Sequence, residues 1–310
     1  MGAMGILPFI KHAFSPTLAQ QLGYSDKDVL VIVNIDDVGI HDDETKASFS
    51  TLKFGLVKSG SIMVPCPNFP QIMELWGKNP EIELGVHLTL TCEWGRRYPW
   101  SPVLPRTDVP SLYNPDGMMW SNIQDLLRNA KRKEIEMELD AQISKILDTG
   151  LKPSHLDHHM DFYYHHGFFS YVMELSRRYA LPMRVWKRRK YRMPFVKNNL
   201  ISLRNKGYVF PDTQMGIYMA GQVQSFEFMK EQYHAHLRSL KPGVNNIKIH
   251  TAFKTAEMLK IFGKHNASIR QIDYDVWTSD DTKKLAEDLG IIFIGYRPLQ
   301  QLQIKLMKSR

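Results

Sequence analysis

Residues 28–39 read DVLVIVNIDDVG, and this stretch decides the fold class. The run from Asp28 to Ile35 is apolar except for Asp28 and Asn34 and is rich in β-branched side chains, as expected for a strand buried on both faces. Strands of this kind belong to parallel sheets, because helices cover both sides of such a sheet. Two carboxylates, Asp36 and Asp37, follow the run, and Gly39 comes next. We therefore predict a buried parallel strand with a polar carboxyl end.

Strand and helix patterns alternate along the rest of the chain. Helices are predicted near 43–58, 68–76, 121–147, 167–179 and 280–289, and strands near 61–65, 82–90, 154–156, 246–250 and 291–295. This order favours an α/β fold with a parallel sheet, open or closed into a barrel. The proline-rich segment 92–120 and the segment 187–235 interrupt the alternation. We predict one domain, residues 1–310, with these two segments as insertions.

The composition is that of an ordinary globular chain. Of 310 residues, 43% are hydrophobic and 23% charged, which excludes disordered, collagen-like and coiled-coil proteins. No window approaches eighteen consecutive apolar residues, so we expect no membrane span. The N-terminal residues MGAMGILPFIKHAF contain too short an apolar run for a secretory signal. With only Cys66 and Cys92 in the sequence, a reducing compartment is expected, and the predicted location is cytoplasmic.

The positive charge is concentrated in one segment. The formal net charge is +8, and residues 183–206 carry nine Lys or Arg and no acid, which leaves the rest of the chain at about −1. Trp186 and Tyr191 interrupt the basic residues, a pattern that can bind nucleic acid or an acidic surface. A solvated loop or an oligomer contact is the simpler interpretation, because charge runs have low specificity.

Polar residues follow four of the predicted strands at their carboxyl ends. They are Asp36 with Asp37, then His87, the segment His155–His159, and His250. In barrels and open α/β sheets this edge carries the active site. One histidine on a strand is usually a hydrogen-bonded core residue, but four polar groups at equivalent places predict a site.

The residue types at this edge suit a divalent metal. Adjacent carboxylates repel each other, and a cation relieves that cost, so one of Asp36 and Asp37 can bind a metal while the other acts as a base. Alternatively, one of them caps the next helix. His155, Asp157 and His159 alternate along an extended segment and share one face. One carboxylate with two imidazoles is a mixed N/O set suited to Zn²⁺ or a similar ion.

The chain resembles the YdjC-type carbohydrate deacetylases, the chitooligosaccharide deacetylase family, which is similar in chemistry to the NodB-type polysaccharide deacetylases. The matching segments occur in order over nearly the whole chain. They are NIDDVG (34–39, family NADDFG), GVHLTLT (85–91, GLHLxLT), PSHLDHHMD (153–161, PTHIDxHxH), IHTA (249–252, VHPG), and the closing SIRQID (268–273) and IGYRPL (294–299). Departures from the family pattern fall at Asp161, at Thr251-Ala252 and at Asp273.

The resemblance implies a distorted (β/α) barrel that removes an N-acetyl group from a sugar with a bound divalent metal. Zn²⁺ is the expected ion and Mg²⁺ the alternative, the expected partner is a small N-acetylated sugar, and a homodimer is a further expectation. Residue by residue, it assigns Asp37, His87 and His159 as metal ligands, Asp36 as the base that deprotonates water, and His250 as the acid for the departing amine. It places His155, Asp157, Arg270 and Asp273 near the metal or the substrate.

Besides sugar deacetylation as the first function, two further functions remain as alternatives. Asp/His metal sites on barrels also serve phosphoesterases and sugar isomerases. The third function is nucleic-acid binding through 183–206, with a purely structural metal. Salt-sensitive retention on an oligonucleotide would support that third function. Five aromatic residues in or next to the two insertions are candidates to stack on sugar rings, with core packing as the alternative for several; they are Trp94, Trp100, Trp120, Trp186 and Tyr191.

Overall fold

The first long strand, β1, lies at the centre of a parallel sheet. The structure is a computed structural model that describes residues 16–164, 168–185, 194–216 and 225–309. The described strands are β1 (Val29–Val38), β2 (Ser59–Ile62), β3 (Glu83–Leu88), β4 (Leu156–His158), β5 (Thr213–Gly216), β6 (Gly243–Ile249) and β7 (Ile292–Phe293). The described helices are α1 (Leu18–Gln21), α2 (Asp42–Phe54), α3 (Phe69–Lys78), α4 (Ile123–Asn129), α5 (Arg132–Leu147), α6 (Phe168–Arg178), α7 (Pro194–Asn205), α8 (Phe226–Ser239), α9 (Ala256–Trp277), α10 (Asp280–Asp288) and α11 (Arg297–Lys308).

The strands pair in the order β4-β3-β2-β1-β6-β5, and all of these pairs are parallel. The short β7 pairs with β1 at Leu30 and Val31, before β2 begins its own pairing at Asn34. The sheet curls into a half-barrel with helices around it, which confirms the predicted α/β barrel class. Because every strand runs the same way, their carboxyl ends meet at one edge.

Both faces of β1 are covered, which explains its apolar sequence from Val29 to Val33. Val31, Val33 and Ile35 have no exposed area and pack into the main core cluster with α2, α3 and α5. Leu30 and Ile32 point the other way, into a second cluster built largely from α1 and α11. Burial on both sides is therefore the physical reason that this strand is hydrophobic without alternation.

Two segments differ from the sequence-based prediction. The helix predicted over 121–147 is broken between α4 and α5, where the Lys131 N–H donates to Ser111 Oγ at 2.8 Å and both linking residues have extended ψ angles. The described part of 187–235 holds α7, β5 and α8, and β5 adds an edge strand to the sheet. The β5 sequence TQMG lacks the β-branched apolar pattern, so only its pairing with β6 identifies it as a strand.

A tight turn places Asp37 at the carboxyl end of β1. Asp37 has φ 66° and Gly39 has φ 96°, both in the left-handed region. A Cβ on Gly39 would lie 2.2 Å from Ile72 Cδ1, so only glycine fits there. The Gly39 N–H donates to Glu44 Oε2 at 2.7 Å, which fixes the turn to the start of α2.

Within the described ranges, no helix combines the length and the apolar character that crossing a bilayer requires.

Candidate metal and catalytic site

Asp37, His87 and His159 converge at the carboxyl edge of the sheet. Asp37 Oδ1 is 3.2 Å from His87 Nε2 and 3.2 Å from His159 Nδ1. One donor atom from each residue lies within 4.8 Å of the others, and the three residues are 1–5% exposed. These are the three residues that the resemblance assigned as ligands. One carboxylate oxygen and two imidazole nitrogens, buried and close together, fit a divalent ion such as Zn²⁺.

Asp157 sets the orientation of His87. The two residues are cross-strand partners on β3 and β4, and Asp157 Oδ1 is 2.7 Å from His87 Nδ1. The other oxygen, Oδ2, accepts hydrogen bonds from Ser61 Oγ at 2.7 Å and Asn34 Nδ2 at 3.1 Å. With its Nδ1 held by this carboxylate, His87 presents Nε2 to Asp37. Asp157 thus has the contacts of a residue that orients a metal ligand.

Asp36 is held by Arg184 in a two-point ion pair. Arg184 Nη2 donates to Asp36 Oδ2 at 2.6 Å and Nη1 donates to Oδ1, while Nη1 also lies 3.1 Å from Asp157 Oδ2. Burial alone would raise the pKa of Asp36, but the guanidinium outweighs it and holds that pKa well below its usual range. Asp36 is therefore ionised at neutral pH.

Arg184 was grouped with the basic segment 183–206, and for this residue that interpretation is wrong. Residues 182–184 run alongside β4: Leu156 N–H donates to the Pro182 carbonyl at 2.9 Å and Arg184 N–H to the Leu156 carbonyl at 2.9 Å. This pairing directs the Arg184 side chain into the site, where Arg184 is 2% exposed. The signal in the sequence was the extended apolar context LPMRV after α6. Residues 186–193, with Trp186 and Tyr191, lie outside the described part of the chain.

A second group of possible ligands, Asp36 with His87 and Asp157, shares His87 with the first. Its two carboxylates already share the Arg184 guanidinium, and Asp157 also contacts His87, so each of them has a basic partner without a metal ion. Asp37 differs, because only its Oδ2 is taken, by Arg270 Nη2 at 2.6 Å, and Oδ1 faces the two histidines. The Asp37 set is therefore the better candidate for a cation.

The resemblance places Arg270 and Asp273 near the metal or the substrate. Both residues are buried, and Arg270 forms an ion pair with Asp37. Asp273 accepts the His250 backbone N–H at 2.9 Å and the Tyr233 hydroxyl at 2.7 Å. Burial raises the pKa of Asp273 to about 7. Its contacts hold the backbone at the end of β6.

His250 follows β6 and lies beside the candidate ligand Asp37. Its Nε2 is 3.8 Å from Asp37 Oδ2, and its side chain is 23% exposed. Burial lowers the pKa of His250 to about 3, with Arg270 acting in the same direction and Asp37 opposing it. A histidine that acts as the acid must carry a proton on its ring when the amine leaves. With so low a pKa, His250 is a neutral imidazole in the resting protein.

The two candidate ligand histidines show the opposite shift. Burial would lower the pKa of His87, but Asp157, Asp37 and Asp36 raise it to about 9. Burial would lower the pKa of His159 as well, but Glu93 and Asp37 raise it to about 10. Without a metal, both rings are therefore cations at neutral pH that balance the surrounding carboxylates.

His155 lies behind the site rather than in it. Its ring stacks on Tyr296 with centroids 3.8 Å apart, its Nδ1 is 2.9 Å from Ser154 Oγ, and its pKa is lowered by burial to about 3. A Cβ on Gly85 would lie 2.5 Å from this ring, which explains the glycine that begins GVHLTLT. His155 supports the strand that carries His87.

Thr251, one of the departures from the family pattern, links two loops of the site. Its Oγ1 is 3.0 Å from Ser48 Oγ, and that hydroxyl donates to Glu44 Oε1 at 2.5 Å. Glu44 also accepts the Gly39 N–H, so this chain of contacts ties the turn after Asp37 to the segment after His250. Burial raises the pKa of Glu44 well above its usual value.

Glu93 is a residue of the site that sequence reasoning missed. Its two carboxylate oxygens are 2.9 and 3.0 Å from His159 Nε2. It lies just beyond GVHLTLT, in the first predicted insertion, where no local pattern marks it. Two aromatic candidates are packing residues: Trp100 is 3% exposed and its Nε1–H donates to the Thr91 carbonyl, and Trp120 Nε1–H donates to the Ser111 carbonyl.

Comparisons with known proteins agree on one family. A family model described as YdjC-like protein matches residues 30–288. A carbohydrate deacetylase of Geobacillus stearothermophilus is 35% identical over 166 residues, which cover 53% of this chain and 63% of that protein, less than two thirds of its length. A carbohydrate deacetylase of Enterococcus faecalis is 28% identical over 280 residues, 87% of this chain and 97% of that protein.

One solved structure shares the whole fold. It is a protein of Enterococcus faecalis V583 named for the cleavage of cellobiose-phosphate. Its TM-score with this chain is 0.72 at 26% sequence identity, and the match covers 88% of this chain and 99% of that one. The curled sheet described above is therefore a known architecture.

Proposed function

The chain belongs to the YdjC-like protein family, and on that premise we propose that it is a metal-dependent hydrolase that removes the N-acetyl group from an N-acetylated sugar or oligosaccharide. The observation that carries the proposal is the convergence of Asp37, His87 and His159 on one point, with Asp36 and His250 beside it. The names of the two carbohydrate deacetylase relatives support the reaction class.

Asp37, His87 and His159 would hold the metal through Oδ1, Nε2 and Nδ1. Zn²⁺ fits this donor set best, and Mg²⁺ is the alternative. A divalent ion at such a site makes water more acidic and polarises an acyl oxygen. Arg270 holds Asp37 Oδ2, so the carboxylate offers a single oxygen in a fixed direction.

Asp36 would accept the proton of the attacking water. Its carboxylate is ionised at neutral pH, and Arg184 fixes both of its oxygens. Orientation of this kind is a large part of the value of a catalytic base. Because the guanidinium holds the pKa of Asp36 so low, Asp36 does not retain the proton at neutral pH, and the proton that water loses becomes the one that His250 takes up and passes to the leaving amine.

His250 would deliver a proton to the amine nitrogen as the C–N bond breaks. An amide anion is a very poor leaving group, so this step requires a donor. Since the imidazole is neutral in the resting protein, it must take up its proton during the reaction rather than carry one beforehand. The product pair is acetate and a free amino sugar.

The two alternative functions have less support in the structure. A phosphoesterase or a sugar isomerase can use Asp/His metal sites, but the relatives are named for neither activity. Nucleic-acid binding through 183–206 loses Arg184, which lies in the site, and Arg204, which pairs with Asp212 at 2.9 Å. A homodimer and a cytoplasmic location remain predictions.

A substrate panel tests the reaction class. The metal-loaded protein is offered chitooligosaccharides, a sugar phosphate and an aldose, and acetate, phosphate and ketose are measured. We expect acetate alone. Phosphate or ketose as the main product would replace this proposal with one of the alternatives.

His250→Ala separates amide from ester hydrolysis. We expect the variant to keep its metal and fold but to lose most activity on an N-acetyl sugar, because amine departure needs a proton donor. Activity on an activated acetate ester should fall far less, because its phenoxide leaves unaided. Rates on both substrates are measured with the same enzyme preparation. Equal losses on the two substrates would show that His250 is not the acid, and normal activity would remove it from the site.

The stability of the metal-free protein should fall between about pH 7 and pH 10. His87 and His159 have pKa values of about 9 and about 10 in the folded protein, raised from about 6.5 in an unfolded chain. Raised values contribute stability that is complete below about pH 6.5 and lost as the pH rises through the folded values. Metal binding needs both rings unprotonated, so it strengthens over the same range.

Thermal unfolding of chelator-treated and metal-loaded protein at several pH values measures this effect. The gap in Tm between the two forms should widen from pH 7 to pH 10. In metal-free His159→Ala, Tm should fall less steeply with rising pH than in the metal-free wild-type protein. A gap that stays constant would show that these two histidines do not titrate as described.

A further inference from the structure

The ring of His159 lies between two carboxylates. Its Nδ1 is 3.2 Å from Asp37 Oδ1, and its Nε2 is 2.9 and 3.0 Å from the two oxygens of Glu93. Each ring nitrogen is therefore committed to one partner. A carboxylate that holds one nitrogen of a histidine determines which nitrogen remains for a metal, and in which direction it points.

His87 has the same arrangement with the roles of its two ring nitrogens exchanged. Its Nδ1 is 2.7 Å from Asp157 Oδ1, and its Nε2 is 3.2 Å from Asp37 Oδ1. The two histidines thus offer different nitrogens to Asp37, and in both the opposite nitrogen contacts a carboxylate. Asp157 belongs to a motif of the family resemblance, whereas Glu93 belongs to none of the motifs that carried it.

The backbone just before Glu93 is anchored. The Cys92 N–H donates to the Trp120 carbonyl at 2.8 Å, and the Trp100 N–H donates to Cys92 Sγ at 3.4 Å. The Trp100 indole also donates to the Thr91 carbonyl at 2.9 Å. The Glu93 side chain is 22% exposed, so its contact with His159 is largely shielded from water. A carboxylate on backbone that is anchored in this way can hold an imidazole ring in place.

We propose that Glu93 is the positioning residue of His159. Its carboxylate accepts the Nε2 proton, fixes the plane of the ring and leaves Nδ1 as the nitrogen that faces the ion. The inference rests on the proposed metal site. It also gives the segment 92–120 a role, because that segment supplies the residue that orients a ligand.

Metal binding by variants of Glu93 tests the inference with Zn²⁺ and Co²⁺ as probes. Glu93→Ala should weaken Zn²⁺ affinity by about 10–100-fold, the usual cost of losing such a partner. Glu93→Gln keeps a hydrogen-bond acceptor and should lose measurably less. The visible spectrum of bound Co²⁺ should change in Glu93→Ala, because the freed ring changes the ligand geometry. Glu81→Gln, at an exposed carboxylate, is the matched control and should behave as wild type.

Each outcome supports or overturns the inference. Wild-type affinity and an unchanged Co²⁺ spectrum in both Glu93 variants would overturn it. Equal losses in Glu93→Gln and Glu93→Ala would also overturn it, because charge rather than orientation would then be the cause. If Glu93→Ala does not fold, wild-type affinity in Glu93→Gln is the overturning result and a measurable loss the supporting one. A wild-type protein without metal affinity would overturn both the inference and the proposed function, whereas an active metalloenzyme indifferent to Glu93 would overturn the inference alone.

Discussion

His87→Ala is expected to abolish both divalent-metal binding and turnover. The substitution removes one of three candidate ligands and leaves Asp37 and His159 as the only pair. It also frees Asp157 Oδ1, which is 2.7 Å from His87 Nδ1 in the wild-type protein. Two protein ligands are too few for Zn²⁺, which takes three at catalytic sites.

Metal content after gel filtration, together with acetate release, measures both effects in one preparation. His236→Ala, at a histidine on α8 whose Nδ1 contacts Ser239 Oγ, is the matched control and should keep metal and activity. Thermal unfolding of the metal-free proteins shows whether the variant is folded. A folded His87→Ala protein that retains one equivalent of tightly bound metal would remove His87 from the ligand set.

Asp36→Asn and Asp37→Asn are expected to fail in different ways. Asp36→Asn should keep the metal but lower kcat by about 10²–10⁴-fold, the usual contribution of a positioned base. Asp37→Asn should weaken metal affinity, because Asp37 Oδ1 is the atom on which the two histidines converge. The different partners support this division, since Asp36 pairs with Arg184 and Asp37 with Arg270.

Metal titration and steady-state kinetics on the two variants check the division of roles. Asp36→Asn leaves Arg184 with one carboxylate partner, Asp157, so its unfolding temperature must be measured as well. Identical behaviour of the two variants would show that the division is wrong. Loss of metal in Asp36→Asn with retention in Asp37→Asn would reverse the roles.

The local patterns of the sequence predicted the sheet and its polar edge. The run from Leu30 to Ile35 is buried on both faces, and that environment leaves a strong hydrophobic signal. His87 lies near the carboxyl end of an apolar strand and His159 directly follows the short strand β4, so their places at the carboxyl edge could be predicted from the strand pattern alone. Their assignment as ligands required the family resemblance.

The contacts that orient these residues could not be predicted in the same way. Arg184 is 148 residues from Asp36, and Arg270 is 233 residues from Asp37, so only the folded sheet brings each pair together. Arg184 was also hidden in a basic segment, where eight further Lys or Arg suggested a solvated surface. Glu93 has no periodic or motif signal, because its partner lies on a different loop.

The sequence patterns did not predict β5 or α9, for a related reason. The four residues of β5 carry no apolar alternation, and their burial is partial. The long helix α9 contains Gly263 with φ 77°, which breaks the helical periodicity on which sequence reasoning depends. Such elements are held by tertiary pairing more than by their own propensity.

Acetate release from a chitooligosaccharide against equivalents of added Zn²⁺ tests the central claim most directly. The protein is first stripped with a chelator and then titrated, with acetate and free amine measured together. For a metal-dependent deacetylase with one metal site, we expect no activity at zero metal, a rise to a plateau at one equivalent, and equal amounts of acetate and amine throughout. Full activity in the stripped protein, or no acetate at any metal concentration, would contradict it.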